Sequence, residues 1–216
     1  MLRTCSLLLL VACSHSVSEG DVVDYLRDQP PAARAALVAQ ADGPENTALI
    51  KRGSTPLTVV GKTLDVGDPL PDVTLLDGKL APVSLGAISR ERKVIVLSVV
   101  PSIDTRVCES QTHHVNDALG LMPPGVQVFT VSRDLPYAQT RFSEEAVIRH
   151  PLVSDYRGGA FGKAFGLVVK ESGLLVRSVW VIGADGKIAY RQIVEDQGTE
   201  PDYDALVAAV KKTTGT

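Results

Sequence analysis

Cysteine is scarce in this chain, with three in 216 residues: Cys5, Cys13 and Cys108. Two fall at the very start, so Cys108 is the lone thiol of the body. A lone thiol excludes an internal disulfide framework. Positive charge is also in deficit. Lys and Arg total 22 against 25 Asp and Glu, and the formal net charge of −3 argues against nucleic-acid binding, which needs basic patches to engage phosphates. No apolar run approaches the roughly 18 residues that a transmembrane helix requires. Internal repeats and a second domain are missing as well. What remains, 44% apolar and 22% charged, fits one globular domain of ordinary size plus a leader and a tether.

The leader is short. Arg3 precedes the apolar run Leu7-Leu8-Leu9-Leu10-Val11, the pattern of a secretory signal peptide. Its end, Leu10-Val11-Ala12-Cys13, resembles a bacterial lipobox. The resemblance implies that residues 1–12 are cleaved and that Cys13 becomes a lipid-modified N-terminus. It also implies export, with the protein lipid-anchored to a bacterial membrane and facing the periplasm. Residues 13–45, rich in Ala, Asp, Pro, Gln and Ser, read as a flexible tether. The folded domain is expected over 46–216.

Residues 48–61 read as a hairpin and 73–76 as a short strand. The apolar, β-branched run 93–100 is expected to be a buried central strand, and 126–131 alternates as a second. Helical spacing over 135–147 puts Leu135, Ala138, Phe142 and Ala146 on one side. Residues 152–154 form a strand, and 159–165 a short helix whose Gly162 and Gly166 suggest close packing. The clearest antiparallel hairpin joins 174–182 to 187–194 through Gly183-Ala184-Asp185-Gly186. Pro201 opens a last helix with Tyr203, Leu206, Val207 and Val210 as its buried stripe. The order β-α-β-α-β-α-β-β-α implies a mixed central sheet covered by helices. That is an α/β, thioredoxin-like sandwich with an N-terminal β-hairpin added.

After the first central strand, Pro101 breaks the chain, and Ser102, Asp104 or Thr105 is placed to cap a following helix. Cys108 then lies in the first turn, where unpaired N–H groups and the positive dipole end favour a thiolate. A thiolate that cleaves a peroxide needs the substrate held in line and donors for the charge growing on the leaving oxygen. Thr105 is one turn before Cys108, so its hydroxyl can face the same pocket. Pro101 can exclude solvent without offering a competing donor. Arg177, in an otherwise apolar strand, is the best candidate cation. A charge there points to solvent or serves a site, and spacing alone does not choose.

Pro101-Ser102-Ile103-Asp104-Thr105-Arg106-Val107-Cys108 matches the P-x-x-x-T-x-x-C signature of peroxiredoxins. Together with the string from Asp134 to Phe142 and Glu200-Pro201-Asp202-Tyr203, it resembles the thiol peroxidase subfamily over about residues 46–212. The resemblance implies that Cys108 is the peroxidatic cysteine, with Thr105 holding the peroxide, Pro101 shielding the sulfur and Arg177 stabilising thiolate and transition state. It implies a homodimer as well. Many members resolve the resulting sulfenic acid with a cysteine in an Arg-Phe-Cys string. Here the string is Arg141-Phe142-Ser143, and serine forms no disulfide. The expectation is a one-cysteine cycle that reduces hydrogen peroxide and organic hydroperoxides, uses an external thiol reductant, thioredoxin-like or other, and needs no cofactor. The competing reading is a catalytically silent lipoprotein that serves as a binding or redox-sensing module. A Cys-x-x-Cys reductase is excluded, since Thr105 holds the first position. His113 and His114, adjacent on a helix, point about 100° apart and are read as solvated surface rather than metal ligands. Asp104 is read as a cap, Tyr137 and Phe142 as core or interface, Trp180 as core, and Gln139 and Arg141 as bordering the site or facing solvent.

Overall fold

A computed structural model of the protein describes residues 43–216; the leader, Cys13 and the tether up to residue 42 lie outside the described residues. The fold is built on β5 (Ile95–Val99), every residue of which is buried. Period-2 alternation sends its side chains to two opposite layers. Ile95, Leu97 and Val99 join one cluster with Phe161, Phe165 and Trp180. Val96, with Val94 just before the strand, joins a second with Val115, Leu206 and Val210.

The strand pairs in parallel with β6 (Gln127–Ser132), which in turn pairs in parallel with β7 (Leu152–Ser154). On its other side β5 runs antiparallel to β9 (Ser178–Ile182), which pairs with β10 (Ile188–Ile193). β3 (Thr74–Leu76) and β4 (Pro82–Ser84) extend the far edge, giving seven strands ordered β10-β9-β5-β6-β7-β3-β4. Helix α1 (Leu85–Arg90) precedes β5. Helix α2 (Arg106–Ala118) connects β5 to β6, α3 (Pro136–Glu145) connects β6 to β7, and α4 (Ala160–Phe165) follows β7. Helix α5 (Tyr203–Thr214) packs against β9, β10 and α2, with Asp202 capping it through a bond from Ala205 N–H at 2.9 Å. The N-terminal hairpin, β1 (Glu45–Arg52) and β2 (Thr55–Val60), pairs with the two-residue β8 (Val168–Val169) in a small second sheet. This is the expected thioredoxin-like α/β architecture, with β8 as an element that its two-residue length hid.

Close packing at α4 follows from its glycines. A Cβ on Gly166, at φ +61°, would lie 2.4 Å from the Lys62 carbonyl carbon, and one on Gly162 would lie 2.7 Å from Leu175 Cδ2. Buried Asp155 accepts the N–H groups of Phe161 and Gly162 at 2.8 and 3.0 Å, filling the helix start. Two local expectations fail. The strand expected from Leu174 begins at Ser178, because Gly173 at φ +69° turns the chain and Val176 N–H bonds back to Leu167 O at 2.8 Å. Leu135 is 55% exposed rather than part of the buried stripe, because it is the extended N-cap residue of α3 and its side chain falls outside the helical register.

Just past the C-cap Ala146 of α3, Val147 has φ +53°, a left-handed position where a β-branched side chain is strained. Val147 is 74% exposed, so its removal costs little packing. Val147→Gly is expected to stabilise the protein by about 0.5–1 kcal/mol, the relief of strain exceeding the added chain entropy. Urea unfolding checks this, and a lower midpoint for the glycine variant would contradict it.

Candidate active site

Residue 105 is the last before α2 and has extended backbone (φ −130°, ψ 144°), so the helix begins at Arg106 and Cys108 sits in its first turn. The hydrogen-bond ladder starts with Glu109 N–H to Thr105 O at 2.9 Å, so the amides of residues 106–108 precede it. Thr105 occupies the cap position without a side-chain capping bond. Its hydroxyl instead donates to Ser102 O at 3.3 Å. Asp104 is exposed and does not cap the helix, which corrects the expectation for it. Pro101 is buried at the end of β5.

The loop between strand and helix is held from the neighbouring strand. Asp134, just past β6, accepts the Ser102 hydroxyl at 2.7 Å and the Ile103 N–H at 2.8 Å. This fixes the entry angle of α2, and with it the sulfur.

Cys108 is fully buried. It packs with Val100, Ile103 and Leu152, and half-buried Ala138, Phe142 and Ile148 cover this cluster. Arg177 is also fully buried, and its Nη2 donates to Cys108 Sγ at 3.3 Å across 69 residues of sequence. The structure thus resolves the two directions open to Arg177: it faces the site. Its Nη1 donates to Gln111 Oε1 at 2.8 Å and its Nε to Gln197 O at 3.1 Å. Gln111 in turn donates to Ser98 Oγ at 2.9 Å, tying the arginine to the central strand. No ion pair among the described residues includes Arg177. A buried cation with neutral oxygen partners is costly, and a thiolate on Cys108 would offset that cost.

A protein-family model described as Redoxin matches residues 65–207. The thiol peroxidase of Halalkalibacterium halodurans is 41% identical over 157 residues, covering 72% of this chain and 93% of that protein. That of Bacillus subtilis is 40% identical over 157 residues, covering 72% and 92%. The chain belongs to the thiol peroxidase family of peroxiredoxins. The crystal structure of a peroxiredoxin-like protein from Aquifex aeolicus superposes with a TM-score of 0.72 at 35% identity, covering 79% of this peroxiredoxin and 99% of that chain.

The remaining candidates of this peroxiredoxin have partners other than the sulfur, although Phe142 packs on its cluster. His114 Nδ1 meets Glu200 Oε2 at 2.7 Å, while His113 turns its ring to Phe142, 6.5 Å between centroids. Among the described residues no group of three or more His, Cys, Asp or Glu is placed to hold a metal ion. Gln139 is buried and buckles α3 to the sheet through Ser132 Oγ and Val153 O at 2.8 and 3.1 Å, and exposed Arg141 faces Glu145 at 3.7 Å. Phe142 borders the Cys108 cluster, Trp180 is core, and Tyr137 is 66% exposed, which excludes core. Ser143 donates to Ile148 O at 3.5 Å.

Sequence reasoning missed Gln111, Gln197 and the carboxylate of Glu200. Buried glutamine carries no motif of its own. For Gln111, the one available signal was its place three residues after Cys108, on the face of α2 that turns toward β5. Glu200 accepts from Ser110 Oγ at 2.7 Å and from the Tyr203 hydroxyl, joining the start of α5 to α2. Burial pushes its carboxyl up, but bonds from Tyr203, Ser110 and His114 outweigh this and hold it below the usual range.

Proposed function

We propose that this chain is a one-cysteine peroxidase whose working group is the Cys108 thiolate. The observation that carries it is the Arg177 Nη2 at 3.3 Å from the buried Cys108 Sγ. The helix start and the guanidinium together stabilise the anion, which makes the nucleophile. The thiolate attacks one peroxide oxygen, the O–O bond breaks, and the departing hydroxide or alkoxide takes a proton to leave as water or alcohol. Cys108 is left as a sulfenic acid. Arg177 bears on the charge that moves from sulfur to the leaving oxygen, Thr105 offers its hydroxyl to the bound peroxide, and Pro101 keeps water off the sulfur. Ser143 stands where a resolving cysteine would be, so an external thiol condenses with the sulfenic acid, releasing water. A second thiol then displaces Cys108 and leaves as the disulfide.

The side chains that cover the Cys108 cluster, Ala138, Phe142 and Ile148, are apolar, which suits organic hydroperoxides. Lipidation at Cys13 would hold the enzyme at an exported membrane surface, where such substrates form. Exposed Leu135 and Tyr137, beside the Asp134 anchor of the active-site loop, supply apolar surface for a homodimer around the sites. Stopped-flow mixing of the full chain with one equivalent of hydrogen peroxide or cumene hydroperoxide, followed by mass analysis with a sulfenic-acid trap, tests the reading. Trapped Cys108, formed orders of magnitude faster than in a simple thiol and absent in Cys108→Ser, is expected, with cumene hydroperoxide the better substrate. Oxidation no faster than that of an ordinary thiol would leave the silent binding module as the better reading. Strong preference for hydrogen peroxide would overturn the assignment to organic hydroperoxides.

A further inference from the structure

We infer that Gln197 is a positioning residue for Arg177, and that the N-terminal hairpin holds Gln197 in place; the inference rests on the peroxidase reading above. Gln197 is 3% exposed and grips Arg177 at both ends. Its side-chain Oε1 accepts the Arg177 main-chain N–H at 2.6 Å, and its main-chain carbonyl accepts Arg177 Nε at 3.1 Å. Its remaining polar groups are engaged as well. The side-chain Nε2 donates to Val194 O at 2.5 Å, Val194 N–H bonds to Arg177 O at 3.1 Å, and Gln197 N–H donates to Lys51 O at 2.8 Å.

The consequence is geometric. A guanidinium is a rigid plane, so fixing two of its edges fixes the third. Gln111 Oε1 holds Nη1, Gln197 O holds Nε, and Nη2 is then aimed at Cys108 Sγ. The carbonyl of Gln197 can do this only if the turn that carries it is immobile. Two devices provide that. One is the Gln197 side chain, which closes the turn from Val194 onto Arg177. The other is the N-terminal hairpin, where Lys51 N–H of β1 bonds Glu195 O at 2.8 Å and Gly53 N–H of the following turn bonds Asp196 Oδ1 at 3.2 Å. The added hairpin therefore acts as a clasp on the turn behind the catalytic arginine, a role nothing in its own sequence announces.

The test uses the full-length chain with Cys5 and Cys13 replaced by serine, so that Cys108 is the only sulfhydryl. Gln197→Met keeps a linear side chain of similar bulk and removes both side-chain hydrogen bonds; Gln197→Ala removes the bulk as well. Alkylation of Cys108 as a function of pH reports the thiolate, and stopped-flow oxidation by peroxide reports the reaction. Expected for Gln197→Met is a midpoint moved up by about one pH unit or more toward the ordinary thiol value near 8.5, with oxidation slowed by about 10-fold or more. A merely structural glutamine would lower the thermal midpoint and leave both the alkylation midpoint and the oxidation rate of the folded protein unchanged, and that result overturns the inference. Arg177→Ala is measured alongside. If the parent itself oxidises no faster than a simple thiol, the peroxidase reading fails; if the parent is fast and Arg177→Ala slows it while Gln197→Met does not, only the positioning role is lost. Should Gln197→Ala fail to fold, Gln197→Met decides alone.

Discussion

Replacing Arg177 with methionine is expected to slow oxidation of Cys108 by about 10²–10³-fold while leaving the protein folded, the loss that follows removal of one preorganised donor at a developing charge. The unusual part is the second half. Arg177 is fully buried and is held by a side-chain amide oxygen, a main-chain carbonyl and the sulfur. Burying that cation costs free energy that an apolar side chain of similar length avoids. Against this gain stand two acceptors, Gln111 Oε1 and Gln197 O, each left without its donor at about 1–3 kcal/mol. The opposing terms are similar in size, so stability should stay within about 2 kcal/mol of the parent. Arg177→Lys should fall between, since an ammonium keeps the charge but cannot serve three directions in a plane. Stopped-flow oxidation and urea unfolding on the same preparations check both halves. A variant that unfolds outright, or one that oxidises at the parental rate, would show that the arginine is structural.

Acid should weaken the fold between about pH 6.5 and 4 through a single histidine. His150 is 5% exposed, its Nε2 lies 2.8 Å from Thr130 Oγ1, and its Nδ1 is buried without a hydrogen-bond partner. Burial, with the Arg149 charge adding to it, pushes its pKa from 6.5 down to about 4. The folded state therefore favours neutral imidazole, and the unfolded chain binds the proton first as pH falls. Stability from this site is complete above the unfolded value of 6.5 and is lost progressively as pH falls through the folded value of about 4, a difference of about 3 kcal/mol. Below that no more is lost here. Urea midpoints measured across this window should drop in the parent and drop less in His150→Gln, which cannot titrate. Equal slopes in the two proteins would assign the acid limb to other groups.

Much of the site was legible before the fold was known. The run from Pro101 to Cys108 specifies a strand end, a break and a helix start, so the sulfur's place in the first turn follows from local rules alone. The glycines of α4 announced close approach, and Gly166 does meet the Lys62 backbone. Other positions were ambiguous for physical reasons. Leu135 fits a helical stripe by spacing, yet as a cap residue it has extended φ and ψ and points elsewhere. Asp104 and Thr105 are both capping types, and neither makes the capping bond, because Thr105 turns its hydroxyl back to the loop. Gln111 and Gln197 looked like any polar residues. Nothing in a one-dimensional pattern marks a glutamine whose amide is consumed by a buried arginine.

The sequence by itself determined the setting of the proposed nucleophile: one thiol, at the dipole end of a helix launched from a buried strand, with no second cysteine in the body. Those features are local, set by backbone geometry within a few residues. Tertiary structure alone decided the partner. The antiparallel register of β5 and β9 sets Val99 opposite Ser178, which brings the residue before Ser178 alongside the end of β5, where the loop to Cys108 begins. A one-residue slip would have turned Arg177 to the other face of the sheet. Register is a property of two strands and the core between them, so no reading of either strand alone contains it.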